Sequence, residues 1–184
     1  MFSERREQAI RWMLRAHEGQ VRKAEPEVPY IAHLIHVAFI VQEAGGGEDS
    51  VIAALLHDAL EDTDVTPEEL EGAFGPRVTA IVREVSEDKT LRWADRKARM
   101  IEQLRKASPE ACLVAAADKI HNLETLTHAH RSSGPAIWES FRGAPEPTLR
   151  FYAGTLEALR GRIPEILEGN LERALETARR LILG

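Results

Sequence analysis

The chain has 184 residues, 43% of them hydrophobic and 29% charged, which is the size and balance of one compact domain, residues 1–184, burying a substantial core. Its formal charge of −6 argues against wrapping DNA or RNA, whose phosphates are bound chiefly by excess Lys and Arg, but permits a small anionic ligand in a local basic pocket. No apolar run approaches the roughly 18 residues of a membrane span, Met1 to Glu7 lacks the apolar segment of a signal peptide, and the lone Cys112 excludes an intrachain disulfide, so a cytoplasmic protein without a membrane partner is expected.

Helix signals run almost end to end, and no period-2 run bounded by turns marks a strand, so the predicted fold is all-α. A first helix, about Glu4 to His17, carries Ile10, Met13 and Leu14 and stops near Gly19. Gly19 to Tyr30 holds two prolines and reads as a loop; its adjacent cations, Arg22 and Lys23, are either solvated surface or an anion contact. A second helix, about Ile31 to Glu43, places His33 and His36 three residues apart beside the apolar Val37, Ile40 and Val41. Gly45-Gly46-Gly47 breaks the chain without the Gly-Lys-Ser/Thr ending of a phosphate loop, and Asp49 or Ser50 can cap the next helix.

That next helix contains Leu55 to Thr63, the most informative stretch of the sequence. His57, Asp58, Glu61 and Asp62 follow a wholly apolar run, and helical spacing sets His57 over Glu61 and Asp58 over Asp62 in two acid-bearing rows. Unpaired buried carboxylates cost several kcal/mol, so the cluster implies a metal, a set of cations or a substrate, unless it is a solvated helix end. Thr66 to Glu69 is a capping box opening a short helix that closes at Phe74-Gly75, and Val78, Ile81, Val82 and Val85 form the buried face of the following one. Ser86 to Lys89 ends it in charge. Arg92, Arg96, Lys97 and Arg99 then gather cations at the start of another helix, as a solvated face or an anion site. Ser108-Pro109 caps a long apolar helix, Ala111 to about Leu126, in which Asp118 follows a run of small and apolar residues and Asn122 shares its face. Loops around Trp138 and Phe141 fill residues 131–147, and two helices, about Thr148 to Arg160 and Pro164 to Leu183, finish the chain.

Three separated helices therefore offer a histidine (His33 or His36), the His57-Asp58 pair and the acid Asp118. Two imidazoles with two carboxylates suit a divalent first-row metal such as Mn, Fe or Zn better than Ca. The sequence resembles the HD superfamily of metal-dependent phosphohydrolases, whose signature is a histidine, then His-Asp, then a distant Asp. Arg22-Lys23, Pro29 to His33, His57 to Thr63, Phe74-Gly75 and Ala117 to Leu123 occur in the order found in RelA/SpoT hydrolase domains and in the stand-alone small alarmone hydrolases, including the metazoan SpoT homologues. The similarity covers roughly residues 5–125 and fades beyond.

The resemblance implies an HD-type bundle of about eight to ten helices and a Mn²⁺ enzyme acting on a small nucleotide. It would remove the 3′-diphosphate of guanosine tetra- or pentaphosphate, leaving pyrophosphate and GDP or GTP. It further implies His33, His57, Asp58 and Asp118 as ligands, with His36 as packing. Glu61 and Asp62 would orient or deprotonate water, and Arg22, Lys23, Lys97 and Asn122 would surround the nucleotide and its phosphates. Leu34 replaces a common family proline. The family tyrosine of the C-terminal region has two candidate counterparts, Leu149 and Tyr152, of which Tyr152 offers the matching phenol; adenosine alarmones thus stay open as substrates. Other readings are a generic HD nucleotidase releasing orthophosphate and a non-catalytic alarmone sensor, against which the Glu61-Asp62 pair weighs. Oligomeric state is not encoded in any motif.

Overall fold

The structure, a computed structural model, describes residues 2–22, 25–140 and 143–184; Lys23 and Phe141 lie outside the described residues. In chain order the elements are α1 (Glu4–Ala16), β1 (Val21–Arg22), β2 (Glu25–Pro29), α2 (Ile31–Glu43), α3 (Glu48–Leu56), α4 (Ala59–Asp62), α5 (Pro67–Val85), α6 (Trp93–Leu104) and α7 (Pro109–Ser133). A 3-10 helix, Gly134–Ser140, leads to α8 (Pro145–Leu159) and α9 (Glu165–Ile182).

Helix α7 is the axis of the fold. From Ala111 to Ala117 every residue is buried, and Ile120 and Leu123 continue the buried surface. A helix apolar on all sides is stable only when surrounded, and α7 is packed by α2, α3, α5, α6, α8 and α9. Its short alanines let those neighbours approach, while Leu34, Ile52, Leu56, Leu70 and Leu123 fill the space between and each contributes about 1.5–3 kcal/mol by burial. Cys112 is buried and free in this core.

Helix ends follow local chemistry. Ser3 accepts the Arg6 N–H at the start of α1, Ser108 accepts the Ala111 N–H at the start of α7, and Thr66 with Glu69 forms the expected reciprocal box before α5. Gly75 sits inside α5 at φ 85°, ψ 168°, so the two expected helices are two arms of one element broken at a residue for which positive φ costs little.

Several expectations are corrected. Residues 21–29 contain a short antiparallel ribbon, with Val21 opposite Pro29 and Arg22 opposite Glu25. Two residues on one side are too few for a visible period, and the prolines that suggested a loop are tolerated in a two-stranded ribbon with free edges. In α1 the buried residues are Ala9 and Met13, whereas Ile10 and Leu14 stay exposed. The N-cap of α3 is Gly47; Glu48 and Asp49 in its first turn instead hold Arg5, and Ser3 donates to Glu48. Helix α7 continues past Leu126 to Ser133 because Leu126 and Ala129 bury against Ile137, and Gly134 at φ 61° ends it.

The helix expected through Leu55 to Thr63 is interrupted. Helix α3 stops at Leu56, His57 and Asp58 form a turn, and α4 restarts for one turn. The His57 ring donates from Nδ1 to the Ala54 carbonyl at 2.8 Å, which is the acceptor the Asp58 N–H would use if the helix ran on. Dihedrals stay near helical values, so Glu61 and Asp62 still follow His57-Asp58 by about a turn.

Candidate functional site

The interruption at His57 fixes the ring. Because a carbonyl can only accept, Nδ1 carries the proton in that bond and Nε2 is turned inward, buried and without a hydrogen-bond partner. Asp58 Oδ2 lies 3.1 Å from this nitrogen and Asp118 Oδ1 3.7 Å. From α2, His33 points its Nε2 at the same spot, 3.2 Å from Asp118 Oδ1 and 3.7 Å from Asp58 Oδ2. Donor atoms of His33, His57 and Asp58 all fall within 4.8 Å of one another. Four groups from α2, the α3–α4 turn and α7 thus converge on one point.

Four inward acceptor atoms repel unless a cation sits among them. Burial pushes the His57 imidazole pKa down, but Asp58 and Asp118 reverse this and hold it well above the ordinary histidine value. His33 behaves oppositely, its pKa lowered chiefly by burial against the pull of Asp118. The two carboxylates lie below the usual range despite burial, Asp58 through His57 and His33, Asp118 through Lys119 and the same two rings. An orphaned ring nitrogen beside two ionised carboxylates and a neutral imidazole is the donor set of a divalent cation, and the residues fit one.

Above this point opens a cavity of about 230 Å³. Its lining includes Arg22, Arg96, Lys97 and Lys119 as cations, Glu61 and Asp62 as acids, and Trp93, Phe151 and Tyr152 as aromatics. Ribbon residue Arg22 donates to Asn122 Oδ1 at 3.1 Å and Thr125 Oγ1 at 3.2 Å and rests on the Tyr30 ring. Asn122 in turn donates to Asp118, so Arg22 is tied to that buried acid through one amide. The basic run of α6 divides. Arg96 and Lys97 face inward to Glu87, at 2.5 and 2.6 Å, and Lys97 lies 4.5 Å from the centre of the Phe151 ring. Arg92 pairs with Asp95 and Arg99 with Asp88 on the outside.

Glu61 and Asp62 differ. Burial first, then Asp58 and Glu87, push the Glu61 carboxyl up to about 7, although the Glu87 N–H donates to it at 3.2 Å. Asp62 is more open and pairs with Lys89. Of the two C-terminal candidates, Tyr152 lines the cavity, with its phenol pushed up to about 12 chiefly by burial, while Leu149 is in the core. His36 is exposed, its ring 4.8 Å from that of His121, so it is not core packing.

Other residues complete the site without having been singled out from sequence. Tyr30 donates to Asp58 Oδ2 at 2.6 Å, Lys119 pairs with Asp118, and Glu87 gathers Arg96 and Lys97. Tyr30 and Lys119 lie inside informative stretches, but each reads there as an ordinary aromatic or surface cation. Trp93 beside the basic run gives no signal of its position, since its role depends on α8 lying opposite.

Comparison with known proteins places these observations in context. The family described as HD domain matches residues 9–143. Human guanosine-3′,5′-bis(diphosphate) 3′-pyrophosphohydrolase MESH1 is 46% identical over 137 residues, 73% of this chain and 74% of its own length. The Xenopus tropicalis protein of the same name is 38% identical over 167 residues, covering 90% and 89% respectively. Among solved structures, one described as a metazoan ortholog of SpoT that hydrolyzes ppGpp superposes with a TM-score of 0.78 at 32% identity, covering 98% of this chain and 96% of the other.

Proposed function

Because the chain belongs to the HD-domain family, we propose that it is a guanosine-3′,5′-bis(diphosphate) 3′-pyrophosphohydrolase, converting (p)ppGpp to pyrophosphate and GDP or GTP. The observation that carries this reading is the convergence of His33, His57, Asp58 and Asp118 beneath a cavity whose walls hold Arg22, Arg96, Lys97 and Lys119. A lone HD pocket would suit many phosphoesters; a cluster of cations around it selects a ligand carrying several phosphate charges.

His33, His57, Asp58 and Asp118 would hold the cation; their mixed nitrogen and oxygen donors suit Mn, Fe or Zn, of which the family resemblance implies Mn²⁺. Bound there, it supplies Lewis acidity toward a phosphate oxygen and acidifies a water molecule. Glu61, with its carboxyl in the same cavity, takes the proton of the attacking water, and Asp62, held by Lys89, fixes the neighbouring polar wall. Water oxygen bonds to the phosphorus attached to O3′ as the P–O3′ bond breaks, and the departing 3′ oxygen receives a proton. Arg22 and Lys97 bind and orient the diphosphate, Lys97 held ready by Glu87. Trp93, Phe151 and Tyr152 provide flat surface for the nucleoside, and the Gly143 backbone lies against the Trp93 indole so closely that an added Cβ would be 2.8 Å from Cζ2.

The test incubates metal-stripped protein with ppGpp, ppApp and 5′-GMP, with and without Mn²⁺, and separates products by chromatography. Pyrophosphate and GDP from ppGpp, dependent on Mn²⁺, are expected. No pyrophosphate from either alarmone would overturn the assignment, and orthophosphate from 5′-GMP alone would replace it with a general nucleotidase.

A further inference from the structure

His121 belongs to no ligand set, yet it is 7% exposed and its Nδ1 lies 2.8 Å from Nδ1 of His33. Two imidazole nitrogens at that distance share one proton, so one ring donates and the other accepts. The direction is set on the far side of His33. Its Nε2 faces Asp118 Oδ1 and Asp58 Oδ2, the point toward which His57 also turns its lone pair. If that nitrogen is to offer a lone pair to a cation, the neutral ring must carry its proton on Nδ1, and among the described residues Nδ1 faces Nδ1 of His121.

The geometry points to His121 as the positioning residue that fixes the His33 tautomer: its Nδ1 accepts the His33 Nδ1 proton, its own proton stays on Nε2, and His33 Nε2 is left free to bind the metal. This rests on the ligand set assigned above. The arrangement parallels His57, whose Nδ1 proton is taken by a backbone carbonyl; His33 uses a second imidazole, from α7. Each metal-facing histidine is thus oriented from behind, and the backing of His33 comes from the helix that carries Asp118.

Uniformly ¹⁵N-labelled protein loaded with Zn²⁺ as a diamagnetic probe tests this by long-range nitrogen–proton correlation of the histidine rings. His33 protonated on Nδ1 and His121 protonated on Nε2 alone are expected. His121 protonated on Nδ1, or on both nitrogens, overturns the proposal. Independently, Zn²⁺ affinity by chelator competition is expected to fall about 10–100-fold in His121→Phe, which fills the space without an acceptor, and to recover in His121→Asn, whose amide oxygen can accept. Equal affinity of His121→Phe and wild type, or equal weakening by both substitutions, overturns it. If wild type takes up no Zn²⁺, the ligand set and the role of His121 fall together; if it binds and hydrolyses normally while His121→Phe is unaffected, only His121 is displaced.

Discussion

Asp118 and Glu61 are acids lining one cavity, and their neighbours separate their tasks. Asp118 is held ionised by Lys119 and two imidazoles, whereas Glu61, buried beside Asp58 and Glu87, titrates near neutrality. Asp118→Ala should therefore lose metal and activity together, read by metal content after dialysis and by pyrophosphate release. Glu61→Gln should keep its metal and lose about 10²–10⁴-fold in kcat, the usual contribution of a positioned base; full activity with metal bound would remove that role. Arg22→Ala should raise KM with a smaller effect on kcat, since Arg22 faces the cavity from the ribbon rather than from the metal point; an unchanged KM would make it a structural tie to Asn122. The acids were legible because charge inside an apolar run is costly and needs an explanation. Of the cations of α6 only Lys97 was singled out, through the family resemblance, because sequence lists charge without direction: Arg92 stands at the N-cap in extended backbone, outside the helical row, while Arg96 and Lys97 are drawn in by Glu87, which comes from another segment.

At the scale of elements, the site depends on how closely α2, α3 and α7 approach, and Gly46 is where they are forced together. A Cβ there would meet Val41 Cγ1 at 2.6 Å, the Val41 carbonyl oxygen at 2.8 Å and Leu113 Cδ2 at 2.9 Å. Side chains could yield, but the carbonyl belongs to the end of α2. Gly46→Ala should cost about 1–3 kcal/mol by overpacking and should weaken metal binding as His33 and His57 are displaced relative to Asp118; urea unfolding and chelator competition measure the two effects. Stability lost without any change in affinity would show that the turn is separable from the site. Thr66→Ala, at a capping box away from this junction, should cost about 1 kcal/mol while leaving affinity unchanged. Helix periodicity and caps made most of these elements readable. The ribbon and the break at His57 were hidden because each arises from partners that sequence spacing does not show: two short strands pairing with each other, and a side chain competing for its own helix's carbonyl.

Over the whole molecule, one contiguous set of buried residues runs from Ala9 in α1 to Ala178 in α9, with a small satellite around Leu126, Ala129 and Ile137. Packing of α7 against both α2 and α3 and against α9 couples the C-terminal third to the site. We expect residues 1–184 to behave as one domain, unfolding in a single transition that tryptophan fluorescence and circular dichroism report at the same midpoint. Three separate segments supply the four groups proposed to hold the cation, so the folded chain should bind it far more tightly than the unfolded one. Metal at about 100 times its dissociation constant would then add about 2.7 kcal/mol, on the order of 5–10 °C in Tm for a chain of this size. Asp118→Ala should abolish the increment while keeping a single transition. A metal-induced rise confined to one probe, or a second transition belonging to α8 and α9, would mean that the C-terminal helices fold apart from the site they enclose.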